Sequence, residues 1–399
     1  MHRIRRLPLA LFLLVGILSI SMEASAASSS SSDRCTFTKS SVRVSKSGGL
    51  GRIEWTTNLG AVLQRDEGIV SILKPRGYHD PPRVIGRYDD GAVDSFDGDL
   101  AFVGDRWLLY ARQTHQFSRD GIHVLDLADP GTPRLAFYQP QGGTLRIAHY
   151  NDGANSWVFS LDAIHGLITN RFETATGVLV PVHASPLPAF KVGGPASAGL
   201  FIDSKDPMTG APMLYVSTGR TGVEMFDISN PADPVLLGSW GEVGLAEIEV
   251  HASKTKRTIY AATEYWVDKQ LVPEVIVLDA SDPVAIDEID RWSLGAPADD
   301  KARVQGMTLS EGLLYVAHSR AGVVAFNPRG HVVRQVHLKG DVLEGSAYAA
   351  AGGPIAFDVE PYVWGPGFLI SDAATGRLTF YRRSCHDEVF VLEIESSRS

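Results

Sequence analysis

The chain has 399 residues, 44% of them hydrophobic, with 39 Gly, 22 Pro and a formal charge of −9. That length buries one large core or two ordinary ones. The acidity argues against a protein built to hold phosphate backbones, because nucleic-acid affinity comes largely from Lys and Arg displacing counterions.

Residues 1–26 read as a secretory signal peptide. His2 to Arg6 give a basic start, Leu7 to Ile20 an apolar stretch, and Ala24-Ser25-Ala26 the small residues at a cleavage point. The apolar stretch is too short for an ordinary membrane span and no second one follows. The expectation is a secreted protein (extracellular, periplasmic or at the cell surface) with no transmembrane segment after cleavage. Residues 27–40 form a Ser-rich spacer carrying the run Ser28 to Ser32. Residues 41–385 are expected to be one domain and residues 386–399 a tail. The chain has two cysteines, Cys35 and Cys385. In an exported protein, one such pair points to a disulfide rather than a metal or redox motif.

From there the chain reads as repeats. A Gly opens an apolar strand at Gly68, Gly121, Gly166, Gly222, Gly322 and Gly376, and Glu274 takes that place before VIVLD. From Gly68 to Gly376 is 308 residues in six steps, about 51 each, a period that signals a repeat architecture. Each unit places two short strands before the Gly, such as Leu200-Phe-Ile202 and Leu214-Tyr-Val216. A Pro-bearing turn and a closing strand follow, as in NPADPVLLGSW. Four strands per unit is the grammar of a propeller blade. The fold class expected is all-β: a β-propeller of seven four-stranded blades, with six or eight as alternatives. N-terminal β material, Ser41 to Ser45 or Arg52 to Trp55, is expected to pair with the last blade and close the ring.

The phrase GVEMFDISNPADPVLLGSW (222–240) resembles the LVIVD repeat of exported β-propeller proteins, and IHVLDLADPGTP and VIVLDASDP are looser copies. The resemblance spans about residues 60 to 383 and implies the fold and a surface setting. Relatives often begin the inner strand with His followed by Asn or Asp. Here those places read Ala198-Gly199, Ala246-Glu247 and Gln305-Gly306, so such a site does not transfer.

The innermost strand of each blade lines the channel, so its polar positions are the candidate site. Aligning these strands puts Phe201, Glu249, Thr308 and Asp358 on one level, and Asp203, His251, Ser310 and Glu360 two residues further on. The channel candidates for ligand binding are therefore Glu249, Asp358, Asp203, His251 and Glu360. Glu249 and Asp358 are the pair suited to a shared calcium ion, since oxygen ligands suit calcium; otherwise no cofactor is expected. The histidines, including His149, His183 and His318, show no metal spacing. No Gly-x-Ser-x-Gly elbow appears. The connections 180–198 and 264–273 carry Phe190, Tyr265 and Trp266, which suit a binding rim or blade packing.

The leading functional reading is a binding or interaction platform whose partner is a protein, a glycan or an envelope component. The alternative is a calcium-assisted hydrolase or lactonase with its site in the central channel. A purely structural envelope component comes third.

Overall fold

The computed structural model describes residues 35–385 apart from several connections, the longest of them residues 186–197, 295–303 and 337–355. The fold is an all-β propeller of four-stranded antiparallel sheets. Six blades are each cut from four consecutive strands. Blade 1 is β2 (Leu50–Trp55), β3 (Gly60–Gln64), β4 (Ile69–Lys74) and β5 (Arg83–Asp89). Blade 2 is β6 (Ser95–Val103), β7 (Trp107–Thr114), β8 (Gly121–Asp126) and β9 (Arg134–Pro140). Blade 3 is β10 (Thr144–Asn151), β11 (Ser156–Asp162), β12 (Gly166–Glu173) and β13 (Val178–Ser185). Blade 4 is β14 (Ala198–Asp203), β15 (Met213–Thr218), β16 (Gly222–Asp227) and β17 (Val235–Trp240). Blade 5 is β18 (Leu245–Ala252), β19 (Arg257–Val267), β20 (Gln270–Asp279) and β21 (Asp287–Ser293). Blade 6 is β22 (Val304–Ser310), β23 (Leu313–His318), β24 (Gly322–Phe326) and β25 (Val332–Val336).

A further sheet runs β26 (Ala356–Pro361), β27 (Gly367–Asp372), β28 (Arg377–Cys385) and then β1 (Cys35–Arg43). Of the two N-terminal candidates for pairing, Ser41 to Ser45 overlaps β1, which lies beside β28. Arg52 to Trp55 belongs instead to β2, the innermost strand of blade 1. Innermost strands neighbour one another in chain order, and β26 neighbours β2 as well as β22. A second compact unit takes Met1–Thr36 and Cys385–Ser399, most of which lies outside the described residues, as do the proposed signal peptide and tail.

The repeat phrase now has a physical account. Gly166 and Gly222 open the third strands with φ of 84° and 96°, a region costly for residues with a Cβ. Glu274 replaces that Gly because blade 5 has no turn there. Its hairpin runs on to a Val267–Gln270 pair, and Glu274 sits inside the ladder opposite Thr263. The 264–273 connection expected from sequence is thus an extension of two strands. The Asp ending the third strand accepts a backbone N–H two residues on: Asp126 from Ala128 at 2.9 Å, Asp227 from Ser229 at 2.7 Å and Asp279 from Ser281 at 3.0 Å. These Asx turns release the chain toward the fourth strand. The apolar residue following each Asp (Leu127, Ile228 and Ala280) is buried.

The blades hold together through apolar seams. Phe226 packs between blades 3 and 4, Leu278 between 4 and 5, and Phe326 between 5 and 6, each within 3% of full burial. Buried ion pairs cross two seams. Arg112 meets Asp90 at 3.0 Å, and Arg257, itself bonded to the Ala280 carbonyl, reaches Asp206 at 2.5 Å.

Candidate functional site

Strand register decides which side chains reach the axis. Six innermost strands carry a bulge near their start, where the pairing jumps: Leu50/Ile53, Ser95/Asp97, Thr144/Arg146, Leu245/Glu247, Val304/Gly306 and Ala356/Asp358. A bulge bends the strand and re-aims the side chains beside it. The first residue past it is charged in blades 2, 3 and 5 and in the further sheet: Asp97, Arg146, Glu247 and Asp358. In blade 1 Arg52 itself lies in the jump.

The same register corrects the tiers expected from sequence. Glu247 pairs Ala262, Gly306 pairs Ala317 and Asp358 pairs Ser371, all at the first step past the bulge. Two residues on come Glu249 opposite Tyr260, Thr308 opposite Tyr315 and Glu360 opposite Leu369. Glu360 is therefore level with Glu249, and Asp358 lies one tier away, about 7 Å along the strand. The cause is Phe357, which occupies the bulge but imitates a core position in sequence. The counterpart of Ile248 and Met307, buried like them, is Val359. Asp203 and His251 fall two residues beyond the Phe201 and Glu249 tier. His251 is exposed, and Asp203 accepts the Lys205 N–H in a turn at 3.0 Å. Neither is among the residues lining the cavity described next.

That cavity lies among the innermost strands of blades 1 to 6 and has a volume of about 440 Å³. Its floor is a three-blade ion cluster absent from the sequence-based candidates. Glu247 Oε1 accepts from Arg52 Nη2 and from Arg146 Nη2, the latter at 2.7 Å. The three residues are 8–9% exposed. Arg146 Nη1 also donates to the Leu145 carbonyl at 2.8 Å, so its side chain is held at two points. Arg146 Nε is buried with no hydrogen-bond partner, and so is His149 Nε2, three residues on along the same strand.

The second tier is acidic. Glu54, Asp99 and Glu249 line the cavity with Phe201 and Thr308. Asp99 Oδ2 accepts the Ile147 N–H at 2.9 Å. Burial raises its pKa, opposed by the Arg146 and Arg52 charges. Burial lifts Glu249 to about 8, against the Leu309 N–H that favours its charged form and with Glu247 adding to the rise. Burial also drops His149 to about 4, which leaves its imidazole neutral at neutral pH. Among the described residues, no group of three or more His, Cys, Asp or Glu stands close enough to hold a metal ion. Nor is any helix there long and apolar enough to cross a membrane.

A sequence signal for the floor existed. In blades 1, 3 and 5 a charged residue immediately precedes a buried Ile: Arg52-Ile53, Arg146-Ile147 and Glu247-Ile248. A charge at that point in an apolar strand has to find an opposite charge.

No protein-family model and no curated protein matches the chain. Among solved structures it is similar to Raptor from Chaetomium thermophilum, at 12% identity and a TM-score of 0.59. The match covers 86% of this chain but 28% of that one. In all, 792 solved chains resemble it, so the shape is a common one and the likeness shows the fold alone.

Proposed function

We propose that this is an exported binding protein of the LVIVD-repeat type whose recognition site is the central cavity. The observation that carries this reading is the Arg52–Glu247–Arg146 cluster, which ties three blades together at the cavity floor. Charged side chains already held in place lose little entropy when a ligand arrives, which is how a rigid platform gains affinity. The volume of about 440 Å³ lies within the range of small-molecule sites.

We further propose that the ring has seven blades and is closed by β1, with Cys35 and Cys385 joined. Support comes from β26 neighbouring both β22 and β2, and from the sheet that sets β1, beginning at Cys35, beside β28, ending at Cys385. Export rests on the basic, apolar and small-residue sections of residues 1–26. Peptide mapping of secreted material under non-reducing conditions tests both. Two alkylatable thiols, or an N-terminus at Met1, would refute the corresponding part. The calcium-hydrolase reading loses its geometric premise, since Glu249 and Asp358 stand on different tiers.

The binding reading is tested by a thermal-shift screen of sugars, amino acids, carboxylates, amines and calcium. Wild type is compared with Ala148→Phe, which fills the cavity from a neutral wall position. Compounds that stabilise wild type but not the filled variant support the site. An identical response from both proteins would overturn it.

A further inference from the structure

Three neighbouring blades set an aromatic ring, a carboxyl and a hydroxyl at one height in the cavity. Phe201, Glu249 and Thr308 lie on successive innermost strands, opposite Tyr215, Tyr260 and Tyr315. All three line the cavity, and blades 4, 5 and 6 adjoin one another through these strands. Phe201 is partly buried, its ring centre 6.1 Å from that of Tyr215.

The charges around this patch are already committed. Glu247 shares its carboxylate between Arg52 and Arg146, and Arg146 also donates to the Leu145 carbonyl. Glu54 is engaged as well. Asp99 accepts the Ile147 N–H, and its burial favours the protonated form. Burial lifts Glu249 to about 8, so at neutral pH it is mostly a carboxylic acid, a donor as well as an acceptor. A charged ligand would leave water here without meeting an uncommitted countercharge among the described residues, which costs far more than moving a hydroxyl. A ligand hydroxyl both donates and accepts, as Thr308 and a protonated carboxyl do. It can therefore stand where a cavity water stood and keep that water's hydrogen bonds.

We propose that the cavity binds a small neutral sugar, its ring against Phe201 and its hydroxyls on Thr308, Glu249 and Asp99. The C–H face of a sugar ring suits the aromatic side chain, and its hydroxyl edge suits groups that donate and accept. A volume of about 440 Å³ equals roughly 15 waters at about 30 Å³ each, room for a mono- or disaccharide. A ligand long enough to reach the floor would also supply an acceptor to Arg146 Nε, a buried donor that has none. This rests on the cavity being the recognition site, and the test separates the two claims.

The test is calorimetric titration of the mature protein, treated with chelator, with glucose, galactose, mannose, maltose and cellobiose. At least one is expected to bind. Its uronate and amino-sugar analogues are expected to bind at least about tenfold more weakly, since each brings a charge left unbalanced in the cavity. Thr308→Val keeps the side-chain shape without the hydroxyl and should weaken the sugar about tenfold, the equivalent of one hydrogen bond. Glu249→Gln keeps a neutral donor and acceptor and should stay within about threefold of wild type. No binding by any of the five sugars, a charged analogue binding as well as its parent, undiminished affinity in Thr308→Val, or a larger loss in Glu249→Gln would overturn the proposal. In each of those cases the Ala148→Phe screen still decides on its own whether the cavity is the site.

Discussion

Gly238, in the outer strand of blade 4, abuts the carbonyl oxygen of Pro283 in the Asp-Pro turn of blade 5, where a Cβ would collide with it. Gly86 and Pro130 repeat this relation between blades 1 and 2. The glycine of the closing strand is therefore a seam residue, because the neighbouring blade's backbone fills the volume of a methyl group. Gly238→Ala should cost about 1–3 kcal/mol by overpacking, measured by denaturant unfolding, while Ser239→Ala on the exposed side stays near zero. Wild-type stability in Gly238→Ala would contradict the seam.

Removing the carboxylate of the floor should be far more damaging than removing the whole cluster. Glu247→Ala leaves Arg52 and Arg146 facing each other without their shared acceptor, a change of about 3–5 kcal/mol. Replacing all three residues with Met should recover most of that loss, as buried ion clusters exchanged for apolar groups often do. Equal stability of Glu247→Ala and wild type, by urea unfolding, would show that the cluster does not hold the floor.

The acidic tier gives a pH signature with a definite sign. Glu249 has its folded pKa raised from about 4.5 to about 8. The folded state then holds more protons than the unfolded state between those values, so stability is fully present below the unfolded pKa and is lost as pH rises toward 8. Asp99, also raised, adds in the same direction. His123, His149 and His318 are lowered to about 4 and act oppositely, losing stability as pH falls from 6.5 to 4. Their influence ends above pH 6.5, which leaves the window from 6.5 to 8 to the acids. Glu249→Gln should flatten the decline there. An unchanged slope in the variant would refute the assignment.

Equivalent seam positions should be equally costly to hollow out. Phe226→Ala and Phe326→Ala should each cost about 3–5 kcal/mol and Leu278→Ala about 2–5 kcal/mol, by lost transfer energy plus a cavity. Ile289→Ala, on an outer strand and 49% exposed, should stay within about 0.5 kcal/mol. Chemical denaturation of the four variants checks the contrast, and near-zero values at all three seam sites would contradict the packing.

The fold was legible because each blade repeats a local grammar. Gly222 marks a required positive φ, Asp227 closes an Asx turn, and Phe226 fills a seam, so short-range chemistry carries the architecture. Even Glu274, which breaks the pattern, does so where the hairpin lengthens and the turn disappears. The site was less legible. Glu249 drew attention as an acid in an apolar inner strand, and it lines the cavity. Asp358 and Glu360 were assigned to the wrong tiers because a bulge adds one residue that alternation cannot show, and Phe357 supplied a false anchor. Arg52, Arg146 and Glu247 lie 94 and 101 residues apart in sequence and meet only across the channel. No local pattern encodes that encounter.

The most direct measurement is a crystal structure of the mature protein soaked with the compound that stabilises it most in the thermal-shift screen. The account predicts density inside the cavity, within hydrogen-bonding distance of Arg146 Nε and of at least one of Asp99 and Glu249. Density confined to the rim connections, with the Arg52–Glu247–Arg146 floor untouched, would contradict it.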